Sequence, residues 1–176
     1  MKIRGLLAAH RLPVAIGAFV LVGLAVFGIL WFEPQKLFLE DTVKEAAPSP
    51  ALTTPAGGLP TPSVVTVASG SFKSLEHRTT GQARLLRLAD GSHVLRFENL
   101  DTSNGPDLRV YLSELPSNLG WRDYGERYIE LAPLKGNRGN QNYKVPAGTD
   151  IAKYRSAVIW CVRFKVGFGV APLNAT

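Results

Sequence analysis

The sequence predicts an all-β outer domain, an antiparallel β-sandwich or jelly roll, preceded by one transmembrane helix and a proline-rich linker. Three observations support this prediction. An uncharged apolar run comes first, a proline-rich stretch follows it, and beyond that short apolar alternations are separated by Gly, Pro, Asn and Asp. The 176 residues therefore divide into a cytoplasmic N-terminus at 1–12, a span at 13–32, a stalk at 33–63 and a β domain at 64–176.

The apolar run, PVAIGAFVLVGLAVFGILWF at 13–32, is long enough to cross a hydrocarbon core of about 30 Å. A cleaved signal peptide has a shorter apolar core and small residues at its cleavage site, whereas this run ends in Trp31 and Phe32. Basic residues precede it and acidic residues follow it. The positive-inside rule then predicts a single-pass anchor with a cytoplasmic N-terminus and an extracytoplasmic C-terminal domain.

The linker carries five prolines between Ala46 and Ser63, with Ser, Thr, Gly and Ala between them. Such a composition cannot bury a core and favours extended conformers. At about 3.1 Å per residue, this stretch could lift the domain roughly 50 Å from the bilayer. The preceding segment 34–46 is more amphipathic, and two places remain open for it: the membrane surface or the surface of the domain.

Composition limits the class of partner. The net charge is +6 and the pI about 9.7, but the basic residues are scattered and the aromatic stacking motifs of nucleic-acid readers are missing, so nucleic acid is not an expected partner. Cys161 is the single cysteine, which excludes a disulfide within the chain.

The β domain is predicted to contain seven to nine short strands. Asp90-Gly91 predicts a two-residue type I′ hairpin turn, which would pair Leu86 with Leu95, Leu88 with His93 and Arg84 with Phe97 on the core face. After the turn at 104–106, Leu108, Val110 and Leu112 alternate toward the core, while Arg109 and Tyr111 point away. Further strands are expected at 128–131, 142–145, 157–166 and 168–173, and residues 136–140 are expected to form an exposed hairpin loop.

Strand parity also predicts the orientation of the cysteine. If 157–166 is one strand, Val158, Trp160, Val162, Phe164 and Val166 share an apolar face, and Cys161 lies on the other face with Arg163 and Lys165. A guanidinium two positions away favours the thiolate if water reaches the sulfur. The sulfur is then reactive or ligating. The alternative is a small apolar residue packed under a loop.

Three sequence blocks resemble the DM13 (DM-thirteen) electron-transfer domain family over 64–173: the TTGQARLLRLADGSHVLRF hairpin, NGPDLRVYLS, and IWCVRFKVGFGVAPL. The resemblance implies that Cys161 matches the characteristic cysteine of the family. It also implies redox work, through a free thiol or a bound prosthetic group such as haem. The electron donor or acceptor is expected to be another protein of the cell envelope.

Few other residues could bind a cofactor. Axial haem ligands in the domain are limited to Cys161, His77 and His93. His93 is more simply explained as a histidine whose hydrogen bonds are satisfied at the end of a sheet than as a haem ligand. There is no zinc spacing and no EF-hand loop, so Asn104 and Asp107 are first of all turn residues and only second ligand-contacting loop residues. No hydrolase motif is present, so an enzyme is not expected.

Two functions are consistent with these observations. The first is a membrane-tethered redox module that acts through Cys161, with Arg163 tuning its charge. The second is a binding or adhesion module, in which the sandwich presents loops to an envelope polymer or protein. The candidate loops of the second function are 99–106, 116–124 and 135–140.

Overall fold

A computed structural model describes residues 11–32, 40–49 and 64–176 of the chain. Helix α1, Arg11–Phe32, is one compact unit. Its segment Pro13–Leu30 has a mean hydropathy of 2.5 and none of it is buried, so α1 is long and apolar enough to cross a membrane. A signal sequence has the same properties, and the basic residues Lys2 and Arg4 that predict its orientation lie outside the described residues.

The second compact unit is a β domain of two sheets, which confirms the predicted all-β sandwich. Sheet 1 has the strand order β1-β8-β5-β4-β2-β11, and sheet 2 has the order β3-β10-β9-β6-β7. Single 3-10 turns occur at Asp123–Gly125 and Ile151–Lys153. The strands are β1 Thr42–Lys44, β2 Val65–Ser71, β3 Lys73–Ser74, β4 Thr79–Arg87, β5 His93–Thr102, β6 Leu108–Ser113, β7 Tyr128–Pro133, β8 Arg138–Lys144, β9 Ser156–Cys161, β10 Val166–Pro172 and β11 Asn174–Ala175.

Two apolar clusters hold the domain together. The main core lies between the sheets and includes Leu85, Leu95 and Phe97 of sheet 1. Leu108, Val110 and Leu112 join it from β6, as their alternation predicts. The second cluster covers the opposite face of sheet 2 and consists of Tyr111, Tyr124, Val158, Trp160 and Val170. The centre of sheet 2 is therefore buried on both faces.

The β4–β5 hairpin differs from its predicted register by one residue. Leu86 pairs with Val94, Leu85 with Leu95, and Arg87 with His93. The Leu88 amide donates to the Ser92 carbonyl, the Gly91 amide donates to the Leu88 carbonyl, and Gly91 alone in the turn has a positive φ, of 80°. These are the features of a three-residue loop with a glycine bulge, whereas a type I′ turn needs positive φ at both central residues.

The predicted strand 157–166 is instead a hairpin. Strand β9 ends at Cys161, residues 162–165 form an exposed turn, and β10 begins at Val166. Lys165 adopts a left-handed φ of 56°, which reverses the chain. Val166 pairs with Cys161 across this hairpin. Strand alternation therefore stops at Cys161, and parity cannot be counted through Arg163.

Part of the predicted stalk is a strand of the domain. Strand β1 runs parallel to β8 at the edge of sheet 1, with Val43 opposite Gly139. Residues 136–140, predicted as an exposed loop, are the docking surface of β1, and Gly136 and Asn137 are buried. The stretch 50–63 lies outside the described residues. Besides the strand pairing, the hydrogen bonds that fasten the segment include Arg138 N to Asp41 O, Glu45 N to Asn140 O, Asp41 N to Asn137 Oδ1, Lys135 Nζ to Glu45 Oε1, and Asn142 N to Glu45 Oε2.

Candidate functional site

The sulfur of Cys161 lies in the main core, with 0% of the residue exposed. Its strand neighbours are Leu108 on β6 and Val166 on β10, both apolar. The predicted orientation, away from the interior and toward cations, is therefore wrong. The physical reason is that all six residues of β9 are buried. Apolar alternation cannot distinguish the two faces of such a strand. In the structure, Cys161 and Ile159 face the other sheet, and Val158 and Trp160 face the second cluster.

Arg163 does not share a strand face with Cys161. It lies in the exposed turn 162–165, beyond the last residue of β9. A stabilised thiolate requires both a nearby cation and access to water. Cys161 is fully buried, so water does not reach its sulfur, and the residue packs as a small apolar side chain.

The two histidines do not complete a haem site with the cysteine. The ring of His77 packs on the ring of Phe168, with centroids 3.9 Å apart, and burial lowers the pKa of this imidazole. His93 lies half-buried at the end of sheet 1, opposite Arg87. Haem bound through Cys161 needs an open slot beside the sulfur, whereas this sulfur is enclosed by the side chains that fill the sandwich. These residues do not fit the group.

The predicted loop contacts have structural partners. The side chain of Asn104 accepts a hydrogen bond from the Gly105 amide, as a turn residue does, and Asp107 pairs with Arg109 at 2.7 Å. Within the described ranges, no group of three His, Cys, Asp or Glu side chains could hold a metal ion. Strand β1 covers loop 135–140, which removes one of the three loops of the adhesion hypothesis.

A pocket that the sequence did not indicate opens on the outer face of sheet 2. Three aromatic residues line it: Tyr111 of β6, Tyr128 of β7 and Trp160 of β9. The two tyrosine rings stack with centroids 3.9 Å apart and planes at 6°, and the Trp160 ring lies 6.4 Å from that of Tyr111. We call this the aromatic pocket, with a volume of about 590 Å³ and a lining completed by Arg122, Asp123, Gly125, Glu126, Val162 and Lys165.

The pocket owes its shape to local backbone features. Tyr128 lies diagonally across from Tyr111 on the neighbouring strand, because a bulge between Val110 and Tyr111 shifts the register. Gly125 lies against the ring of Trp160, where an added Cβ would approach the ring to 3.1 Å. The segment 114–127 covers this face of sheet 2. A hydrogen bond of 2.6 Å from the Gly167 amide to the Trp121 carbonyl anchors it to the sheet.

Both signs of charge occur at the pocket rim. The Arg122 guanidinium lies 4.2 Å above the ring of Trp121, and Lys165 contributes an ammonium group from the β9–β10 turn. Asp123 accepts a hydrogen bond from the Gly120 amide at 2.7 Å, and Glu126 lies beside it. Burial, together with the hydroxyl of Tyr128, raises the pKa of Tyr111 well above its usual range. The pocket can therefore stack a planar ring and donate hydrogen bonds to it.

Sequence reasoning assigned Trp160 to the core and Tyr111 to the outer face, and it placed no site at either residue. One signal was available. An outward-pointing tyrosine offers an aromatic ring and a hydroxyl group, and both can bind a covering segment or a ligand. The segment 114–127, which provides both the cover and part of the pocket, shows no strand or helix periodicity in the sequence.

Comparison with known proteins identifies the family. The family model described as Electron transfer DM13 matches residues 71–173. The match runs from the end of β2 to just beyond β10 and includes Cys161 and the aromatic pocket. No curated protein and no solved structure matches the chain. Since the family model matches more than half of the chain, this protein belongs to the electron transfer DM13 family.

Proposed function

We propose that the chain is a membrane-tethered, extracytoplasmic electron-transfer module, a carrier rather than an enzyme, whose redox group is a bound molecule and not the thiol of Cys161. The observation that carries the proposal is the match to an electron-transfer family over nearly the whole sandwich. The exposed apolar helix α1 supports the tether, and the aromatic pocket provides a place for a bound molecule. The exchange partner is a second redox protein of the envelope.

The burial of Cys161 argues against redox chemistry at its thiol. Thiol–disulfide exchange requires a thiolate that a second sulfur can approach, and oxidation to sulfenic acid requires contact with a soluble oxidant. A residue with 0% exposure, in the main core between two sheets, meets neither requirement in the folded domain. Its packing role suffices to explain an apolar residue at the end of β9.

Voltammetry of the full chain tests the electron-transfer proposal. The chain is extracted from membranes in mild detergent, so that bound molecules are retained, and is compared with Cys161→Ala. We expect a reversible response from both proteins. A response that disappears in Cys161→Ala, with an unchanged circular dichroism spectrum, would return the redox role to the sulfur. A silent wild-type chain, in detergent and in native vesicles alike, would remove the electron-transfer proposal.

Protease accessibility tests the tether and its orientation. In right-side-out vesicles we expect an external protease to remove the β domain and leave a small membrane-embedded fragment that contains α1. A β domain protected in these vesicles and cleaved in inverted ones would place it in the cytoplasm. Release into the medium of a chain that has lost only its N-terminal segment would instead show that α1 is a cleaved signal sequence.

A further inference from the structure

The aromatic pocket has an apolar mouth that the fold itself leaves uncovered. Among the described residues of the β domain, four large apolar side chains are markedly exposed: Val65, Tyr128 at 38%, Val162 at 39% and Phe164 at 49%. Tyr128 and Val162 line the pocket, and Phe164 lies in the same turn as Val162. Exposed apolar side chains gathered at one concave site are typical of ligand-binding surfaces.

The aromatic side chains favour a flat ring as the ligand. Tyr111 is 1% exposed and Trp160 is 5% exposed, so they form the buried base of the pocket, and Tyr128, stacked on Tyr111, is the aromatic side chain that solvent and a ligand can reach. Aromatic rings attract a further ring through offset stacking or edge contacts. A volume of about 590 Å³ lies within the usual range of small-molecule sites and holds a ring of one or two fused cycles with room for substituents.

The charges at the pocket rim narrow the class of ligand further. Arg122 and Lys165 can donate hydrogen bonds to acceptor oxygens on the ring. Asp123 and Glu126 at the same rim balance these two cations, so the rim offers no net attraction to a phosphate or any other multiply charged anion. The lining thus fits an uncharged ring that carries carbonyl oxygens and no anionic tail.

We propose that the aromatic pocket binds the ring of a quinone, with its face against Tyr128 and its carbonyl oxygens toward Arg122 and Lys165. This inference rests on the proposed function, in which the redox group is a bound molecule. Burial raises the pKa of Tyr111 further above neutral pH, so this phenol is a poor source of the tyrosinate that would ligate haem iron.

A direct binding titration tests the proposal. The full chain in lipid nanodiscs is titrated with duroquinone, whose fully substituted ring cannot add to a thiol, with empty nanodiscs as the blank. Binding is read by quenching of tryptophan fluorescence and, independently, by equilibrium dialysis. Tyr128→Ala should lower the affinity about tenfold, since it removes one stacking wall. Arg122→Gln should lower it by a similar factor through the lost charged donor.

Matched variants separate the pocket from the surface around it. Val65→Ala removes an exposed apolar side chain from sheet 1, and Arg87→Gln removes an exposed cation from the same sheet; neither residue lines the pocket. Both should bind as the wild type does. If Tyr128→Ala does not fold, Val162→Arg, at an exposed turn position, fills the mouth and should weaken binding to the same degree.

Three results would overturn the quinone assignment. The first is an equal affinity for duroquinone in the wild type, Tyr128→Ala, Arg122→Gln and Val162→Arg. The second is tighter binding of flavin mononucleotide than of duroquinone. The third is a haemin complex whose absorption spectrum shows tyrosinate ligation. The titration measures binding and not electron exchange. If the chain gives a voltammetric response but does not bind duroquinone, electron transfer is supported and the quinone site is refuted. If the chain binds duroquinone but gives no voltammetric response, the site is supported and electron transfer is refuted.

Discussion

Replacing Gly139 by Ala should displace strand β1 from sheet 1. A Cβ at this position would lie 2.0 Å from the backbone carbonyl oxygen of Val43, which is far too close for two heavy atoms that are not bonded. Gly139 also has a φ of 94°, which alanine adopts at a cost of about 1 kcal/mol. Gly148→Ala is the matched control, because its φ is 79° and open space surrounds its missing Cβ. The difference between the two variants isolates the contact with β1.

The expected magnitude follows from the contacts of β1. Displacement forfeits the hydrogen bonds that fasten residues 41–45, and the five named above contribute about 5 kcal/mol at about 1 kcal/mol each. The released residues regain conformational entropy, which lowers the expected net loss to about 2 kcal/mol beyond the control. This difference corresponds to a fall in the urea midpoint of about 1 M.

Hydrogen exchange of the full chain in detergent is the assay. The amides of Glu45 and Arg138, which donate across the β1–β8 contact, should lose protection in Gly139→Ala and keep it in Gly148→Ala. Amides of the central strands β4 and β5 should stay protected in both variants, because the sandwich does not depend on its edge strand. Equal protection of Glu45 and Arg138 in the two variants would show that β1 does not occupy this edge.

Further predictions concern charge and burial. The hydrogen bond from Lys135 lowers the pKa of Glu45. The stabilisation that ionised Glu45 gives is therefore complete above the ordinary carboxyl pKa of 4.5, and it is lost as the pH falls through the lower pKa of the folded state. Amides of β1 should lose their protection from hydrogen exchange in acid, and protection that does not change with pH would contradict this. A thiol reagent should label Cys161 in urea but not in the native chain, and native labelling would refute its burial. Arg96→Ala should cost about 3 kcal/mol in urea unfolding, because its side chain is 6% exposed and pairs with Glu98, whereas Arg127→Ala, 63% exposed, should cost below about 1 kcal/mol; equal losses would contradict the buried pair.

Much of the fold could be predicted because local signals and burial agree. Helix α1 is a continuous apolar run, and β6 alternates so that one of its faces lies in the main core. The register of the β4–β5 hairpin could not be predicted, because Asp90-Gly91 suits both a two-residue turn and a three-residue loop with a glycine bulge. The two loops differ in the φ of Asp90, which the dipeptide alone does not determine.

The candidate site was harder to predict than the fold. Strand β9 is buried on both faces, so its apolar pattern carries no information on which side Cys161 occupies. Strand β1 has only three residues, and its pairing with β8 depends on the small glycines 136 and 139 nearly a hundred positions away. The aromatic pocket combines three strands and an irregular segment, an arrangement that no local pattern in the sequence encodes.

We propose that electrons pass through a molecule held in the aromatic pocket and not through the buried thiol. The most direct measurement is the voltammetric response of the full chain in nanodiscs with duroquinone, recorded for Cys161→Ala and for Tyr128→Ala side by side. We expect Cys161→Ala to keep the protein-dependent response and Tyr128→Ala to lose most of it. A response that survives Tyr128→Ala and disappears in a folded Cys161→Ala would show that the electrons pass through the thiol.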